Sequence, residues 1–238
     1  MVHLNEIQIG SDYCCQQSLD LYKSSMCDSL VTQAAIGRYL YVLKVDNADN
    51  CTALQICLCE DDYPGWLSVE DVQHLVVASH PYCSVPITAA DIKAQISEVI
   101  RFTQAAMNQP NAYRWGGTVA PNYDCSGLMQ AAFASVGVML PRDSYQQEEF
   151  VEPVAVDNLQ LGDLLFFGTC DRTTHVALYL GEGRYIHSSG QEQGRNGIGI
   201  DSITDLRDPI SLTYYEQLRG AGRVTQSYQA TRQPISCR

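Results

Sequence analysis

Three residues of this 238-residue chain have types and surroundings suited to acyl transfer: Cys125, His175 and His187. Cys125 lies in Asn122-Tyr123-Asp124-Cys125-Ser126-Gly127-Leu128, and behind it Leu128, Met129, Ala132, Phe133 and Val136 recur at helical spacing. The pattern places the cysteine in the first turn of a buried helix, with Asp124 or Asn122 as N-cap and Gly137 as the stop. A thiol there feels the positive end of the macrodipole and several unpaired backbone N–H groups. Both favour a nucleophilic thiolate near neutral pH. His175-Val176-Ala177-Leu178-Tyr179-Leu180 and Tyr185-Ile186-His187 flank Gly181-Glu182-Gly183. This reads as a β-hairpin with both imidazoles toward the same end. A cysteine on a helix N-terminus with histidines on strands suits nucleophilic catalysis through a thioester. Residue type alone is a poor guide, since free cysteine is commonly a small buried hydrophobe and this chain has ten.

The elements around these residues set the bounds. The length allows one large or two small domains, and 45% hydrophobic with 18% charged residues describes an ordinary folded protein. A net charge of −12 opposes nucleic acid or an anionic membrane as partner. The N-terminal stretch has no basic region followed by an apolar run, so no signal peptide is expected, and no stretch is long enough for a membrane helix. The cysteines show no paired C-x-x-C spacing, so a zinc site is not expected, and no metal or organic cofactor is implied. Ten reduced thiols in a reducing compartment is the simplest account.

Residues 1–85 read as a small β-domain. Leu19 to Tyr22, Leu30 to Thr32, Tyr39 to Val45 and Leu54 to Leu58 are β-rich runs, with turn material at Asp46-Asn47-Ala48-Asp49-Asn50. Closure into a barrel is the economical way to remove sheet edges in so short a domain. Pro64-Gly65 reads as a turn and Trp66 as core. Residues 86–107 read as a linker and a joining helix: Thr88 and Asp91 form a capping box, and Ile92, Ile96, Val99 and Ile100 mark one apolar face. Residues 108–238 read as the catalytic domain. Within them Leu140-Pro141-Arg142-Asp143-Ser144 reads as a loop, and Leu161-Gly162-Asp163 as a turn leading into the apolar run Leu164 to Phe167. The fold class expected is α+β.

Taken together, Tyr-x-Trp-Gly-Gly from Tyr113, Asp-Cys-Ser-Gly-Leu from Asp124, Leu-Pro-Arg-x-Ser from Leu140, Gly-Asp-Leu-x-Phe-Phe from Gly162 and His-Val-x-x-Tyr from His175 resemble the NlpC family of cell-wall cysteine peptidases. The resemblance runs from about Ile92 to Val224, and the Pro-Gly-Trp stretch before it resembles a bacterial SH3-like domain. It implies a papain-like catalytic domain behind an SH3-like barrel. The likeness is nearest the cytoplasmic γ-D-glutamyl-L-diamino acid endopeptidases of murein recycling, whose substrate would be a murein tripeptide or tetrapeptide. It implies Cys125 as nucleophile, His175 as base, His187 as the polar residue orienting His175, and Tyr113 as an oxyanion donor. It further implies that Asp124, Ser126 and Ser144 bind the L-Ala-γ-D-Glu part, with Tyr63 and an acidic residue, Asp71 or Glu70, meeting a free α-amine. A Cys–His acyltransferase and a wall-peptide-binding module are the alternatives.

Overall fold

The structure, a computed structural model, describes residues 2–45 and 52–232. The chain divides into two compact units. Among the described residues, the first takes those of Met1–Val85, Gly116–Val119 and Tyr228–Arg238, and the second those of Pro86–Trp115 and Ala120–Ser227. Residues 116–119 and 228–232 thus pack with the first unit, where the sequence reading assigns all of 108–238 to the second. Side-chain bonds hold them there. Thr118 donates its N–H to Gln33 Oε1 (3.1 Å) and its hydroxyl to the Gln33 carbonyl (2.9 Å). The Thr231 N–H bonds Asp62 (2.7 Å), and Arg232 pairs with Asp12 (2.6 Å).

The first unit is built on seven strands: β1 (Asp12–Cys15), β2 (Leu19–Tyr22), β3 (Leu30–Ala34), β4 (Tyr39–Val45), β5 (Ala53–Leu58), β6 (Pro64–Ser68) and β7 (Leu75–Val77). They form one curled antiparallel sheet in the order β3-β2-β6-β5-β4-β1-β7, and Thr118–Val119 (β8) adds a two-residue strand to the unit. Period-2 alternation does what it should: Leu19 and Leu21 are buried while Asp20 and Tyr22 are only half-buried. Leu40, Leu54, Ile56, Leu58, Leu67 and Leu75 complete the core. Four of these strands match the β-rich runs of the sequence; β1, β6 and β7 do not.

Pro64-Gly65 opens β6 and is not a turn. The chain reverses earlier, at Glu60–Asp62, where Asp62 takes a left-handed φ of 54° and the Leu58 N–H bonds the Tyr63 carbonyl (2.9 Å). Gly65 instead allows close approach, because a Cβ there would meet Leu21 Cβ at 3.1 Å. Trp66 is half-buried at the register of Tyr22 and Gln55, outside the buried core it was expected to join. The expected turn at Asp46–Asn50 lies outside the described residues. Cys57 and Cys59 are buried, as are Leu54, Ile56 and Leu58 on the other face, so both sides of β5 are covered. Cys83 is disulfide-bonded, which corrects the expectation of ten reduced thiols; Cys14, Cys15, Cys27, Cys57, Cys59, Cys125 and Cys170 are free.

The second unit begins with α1 (Ala89–Met107), whose N-cap Thr88 accepts the Asp91 N–H (3.2 Å) as the capping box predicts. A short strand, β9 (Asn122–Tyr123), leads into α2 (Cys125–Ala134), and α3 spans Ser144–Phe150. Ser144 therefore starts a helix and does not end a loop; Asp143 caps it, with the Gln146 side chain reaching back to the Asp143 N–H (3.0 Å). Then follow β10 (Glu152–Val154), β11 (Leu164–Gly168), β12 (Thr173–Gly181), β13 (Arg184–Ser189), β14 (Gly197–Ser202), α4 (Pro209–Glu216) and β15 (Leu218–Arg223). The strands make a six-stranded antiparallel sheet ordered β10-β15-β11-β12-β13-β14.

Alternate residues of this sheet enter two different cores. Leu164, Phe166, Val176, Leu178 and Ile186 pack with Leu128, Met129, Ala132 and Phe133 of α2 and with Ile92 and Val99 of α1. Leu165, Phe167, Ala177 and Tyr185 pack with Tyr214 of α4. A helix seated by four buried side chains is a firm platform, and truncating Phe133 alone would cost about 3–5 kcal/mol. The result is an α+β fold: α1 and α2 pack on one face of the antiparallel sheet of the second unit, and the first unit is a small curled antiparallel sheet. Among the described residues no helix is long and apolar enough to cross a membrane.

Candidate active site

Cys125 is the first residue of α2 and is buried. Asp124 caps the helix by accepting the Gly127 N–H (2.7 Å). The Asp124 carboxylate also takes a bidentate pair from Arg142, at 3.2 Å to Oδ1 and 2.5 Å to Oδ2. Arg142 further donates to Ser126 Oγ (2.9 Å), and Gln147 Nε2 holds the Ser126 carbonyl (3.1 Å). Arg142 and Asp124 are 2% and 6% exposed, so this charge pair lies inside the protein and its geometry is fixed. Both oxygens of Asp124, expected from sequence to meet substrate, are thus occupied within the unit.

Burial pushes the Cys125 thiol up to about 12, with the Asp124 charge adding to the rise. The backbone N–H groups of Val176 and Ser126, and the Arg142 charge, pull the other way without overcoming it. This departs from the sequence expectation of a ready thiolate. The helix N-terminus is present, but desolvation of the sulfur outweighs it. The Val176 contact also locates the sulfur, which lies against the strand residue that follows His175.

His175 and His187 come together as the hairpin predicts. His175 Nε2 is 2.7 Å from His187 Nδ1, and the rings are nearly perpendicular with centroids 4.9 Å apart. Burial, with the neighbouring His187, holds His175 well below the ordinary histidine value; burial lowers His187 against the pull of Asp201. Burial thus favours the uncharged form of all three groups.

Sequence reasoning missed four residues here. His187 Nε2 lies 2.6 Å from Asp201 Oδ2 on β14, and Arg195 Nη2 lies 2.6 Å from Asp201 Oδ1. Tyr214 of α4 packs on His175 at 4.6 Å and on His187 at 4.8 Å, and its hydroxyl is 2.6 Å from Ser189 Oγ. Arg142 is the fourth. The available signals were the Arg of Leu-Pro-Arg-x-Ser and the alternation Gly197-Ile198-Gly199-Ile200-Asp201, which marks a strand carrying one acid; nothing local flagged Tyr214.

Tyr113 is half-buried, its phenol raised by burial and by the charge Cys125 would carry, which places it in electrostatic reach of the sulfur. Ser126 and Ser144 are both buried in the first turns of α2 and α3. Tyr63 and Asp71 belong to the first unit, where they flank opposite ends of β6, five residues or about 15 Å of strand. Asp71 is half-buried and its carboxyl is raised by burial, with Asp20 and Glu70 adding to the rise against His74. A cavity of about 960 Å³ in the second unit, between α1 and the Leu159–Asp163 turn, includes none of the residues above. Among the described residues no cluster of His, Cys, Asp and Glu is arranged to hold a metal ion.

Comparison with known proteins matches two separate stretches of the chain. Residues 110–218 match the NlpC/P60 family, and residues 21–72 match the bacterial dipeptidyl-peptidase Sh3 domain. Dipeptidyl-peptidase 6 of Lysinibacillus sphaericus is 32% identical over 179 residues, covering 73% of this chain and 57% of that protein. Murein DD-endopeptidase MepS/Murein LD-carboxypeptidase of Escherichia coli K12 is 38% identical over 94 residues, covering 39% of this chain and 48% of that protein. The solved structure of the peptidoglycan hydrolase RipB from Mycobacterium tuberculosis aligns at 27% identity and a TM-score of 0.47, over 58% of this chain and 69% of that one. The chain spans about half the length of these two curated relatives. Residues 110–218 are an NlpC/P60 domain, and it follows a domain of the bacterial SH3 type.

Proposed function

We propose that the second unit is a cysteine endopeptidase that hydrolyses the γ-D-glutamyl bond to the diamino acid in murein peptides bearing a free N-terminal L-Ala. The observation that carries the chemistry is the sulfur of Cys125 at a helix N-terminus, against the residue after His175, with His175 bonded in turn to His187. Neutral His175 takes the thiol proton as sulfur attacks the amide carbonyl, so that charge forms only as it is used. The oxyanion is met by the Cys125 N–H and the Tyr113 hydroxyl. His175 then protonates the departing amine as the C–N bond breaks. Water hydrolyses the thioester, giving a proton to His175 that returns to sulfur. No cofactor is needed for these steps.

The bond and the free-amine requirement rest on the likeness to the recycling branch. Recycling in the cytoplasm is part of that likeness, and the Cys83 disulfide opposes it, because disulfides persist in oxidising surroundings. Action on intact wall outside the membrane is therefore the second reading. One experiment decides: incubation with L-Ala-γ-D-Glu-meso-diaminopimelate and with its N-acetylated form, followed by mass spectrometry. Release of L-Ala-D-Glu from the free-amine peptide alone supports recycling, and cleavage of both supports the wall reading. Cleavage of neither, with Cys125 still alkylated readily, overturns the peptidase and favours an acyltransferase.

A further inference from the structure

We infer that Asp201 is a positioning residue for this reaction, its carboxylate dictating through His187 which nitrogen of His175 is free to take the thiol proton. The inference rests on the assignment of Cys125 and His175 above. Asp201 lies on β14 and is 5% exposed, and His187 is fully buried. An ionised carboxylate only accepts hydrogen bonds, so the 2.6 Å contact to Asp201 Oδ2 requires the proton of His187 to sit on Nε2. Neutral His187 then has a lone pair on Nδ1, and His175 Nε2, 2.7 Å away, must donate to it. Neutral His175 is left with its lone pair on Nδ1, where the Cys125 proton is received.

The charge states agree with this chain. Burial works against ionisation of Asp201, but the bonds from His187 and Arg195 outweigh it and hold the carboxyl below its usual range. Tyr185 and Tyr214 also face His187, with ring centroids at 5.2 and 4.8 Å, and both phenols are raised, so they stay neutral. The remaining oxygen, Oδ1, takes Arg195 Nη2 at 2.6 Å and lies 3.4 Å from the Ser211 hydroxyl.

This asymmetry makes the idea testable. In Asp201→Asn the two donors on the far side hold the amide oxygen, so the amide NH₂ faces His187. The imidazole must then accept at Nε2 and carry its proton on Nδ1. His175 is forced to accept at Nε2 and to protonate Nδ1, and the thiol loses its proton acceptor. With L-Ala-γ-D-Glu-meso-diaminopimelate as substrate, kcat is expected to fall on the order of 10³–10⁴-fold, as for a wrong tautomer in a serine protease triad, with KM little changed. Removing Arg195 in D201N/R195M leaves on the far side only the Ser211 hydroxyl, which can accept as well as donate, so the amide can turn its oxygen toward His187 and part of kcat returns although more native bonds have been lost. Nitrogen-15 NMR of the histidines needs no substrate and separates this inference from the peptidase reading: both imidazoles are Nε2–H in the wild type and Nδ1–H in D201N. Wild-type His187 protonated on Nδ1, or a folded D201N with unchanged tautomers and kcat, overturns the inference. So does a folded double variant that recovers nothing.

Discussion

Each unit hides a charged cluster, and the two differ in where they end. In the first unit Arg38 pairs with Glu60 (3.1 Å) and Asp61 (2.9 Å), and Glu60 accepts the Tyr39 N–H (2.7 Å). The two carboxylates accept the Tyr39 and Tyr63 N–H groups and so fix the reversal between β5 and β6 beside β4. In the second unit Arg142 lies deeper, its side chain 2% exposed against 18% for Arg38, and its pair with Asp124 fixes the first turn of the helix that starts with Cys125. The Arg195–Asp201–His187–His175 series likewise ends on an imidazole. Burial and ion pairing are thus shared by scaffold and site. What marks the site is that its network terminates on groups able to exchange protons with a substrate.

The largest effect is expected from Cys125→Ala, which removes hydrolysis entirely while calorimetry finds little change in Tm, since only one sulfur is lost from a helix seated by other residues. Next come Arg142→Met and Arg38→Met. Each strands a buried carboxylate, at about 3–5 kcal/mol by denaturant titration. Only Arg142→Met should also lower kcat at a temperature where the protein stays folded; an equal loss for Arg38→Met would make the two clusters equivalent. Tyr113→Phe removes one oxyanion donor and should cost on the order of 10²–10³ in kcat with KM preserved.

The smallest effect is a pH dependence. His175 and His187 have lowered values in the folded protein, so below the ordinary histidine value of 6.5 the unfolded chain binds protons that the site refuses. Stability is therefore full above that pH and lost as pH falls below it, by up to roughly 1.4 kcal/mol per proton per pH unit. At the alkaline end Cys125 keeps its proton to about 12 while an unfolded thiol loses it near 9.0, so stability also falls as pH rises between those values. Replacing His187 with Asn should flatten the acid limb in thermal melts; an unchanged limb would place the proton uptake elsewhere.

What could be read before the structure follows the range of the interactions involved. The start of α2, the Thr88 cap and the hairpin of β12 and β13 are local, and Asp124, Thr88 and Gly181-Glu182-Gly183 announce them. Asp201 meets His187 from another strand and Tyr214 from α4, so nothing in their neighbours along the chain reports their partner. Pro64-Gly65 misled because its glycine serves contact with Leu21 and not chain reversal. The thiolate expected from the helix dipole failed for a related reason: desolvation depends on the whole core around the sulfur. The family motifs pointed to Cys125, His175 and His187, whereas the charges that position them had to be seen.

The proposed hydrolysis runs through a thioester between Cys125 and the γ-D-glutamyl carbonyl. Acid quenching during turnover of L-Ala-γ-D-Glu-meso-diaminopimelate, followed by peptide mapping by mass spectrometry, tests it directly. An L-Ala-γ-D-Glu adduct is expected on the peptide containing Cys125 and on no other cysteine. Turnover with Cys125 unmodified throughout, and retained by Cys125→Ala, would contradict it.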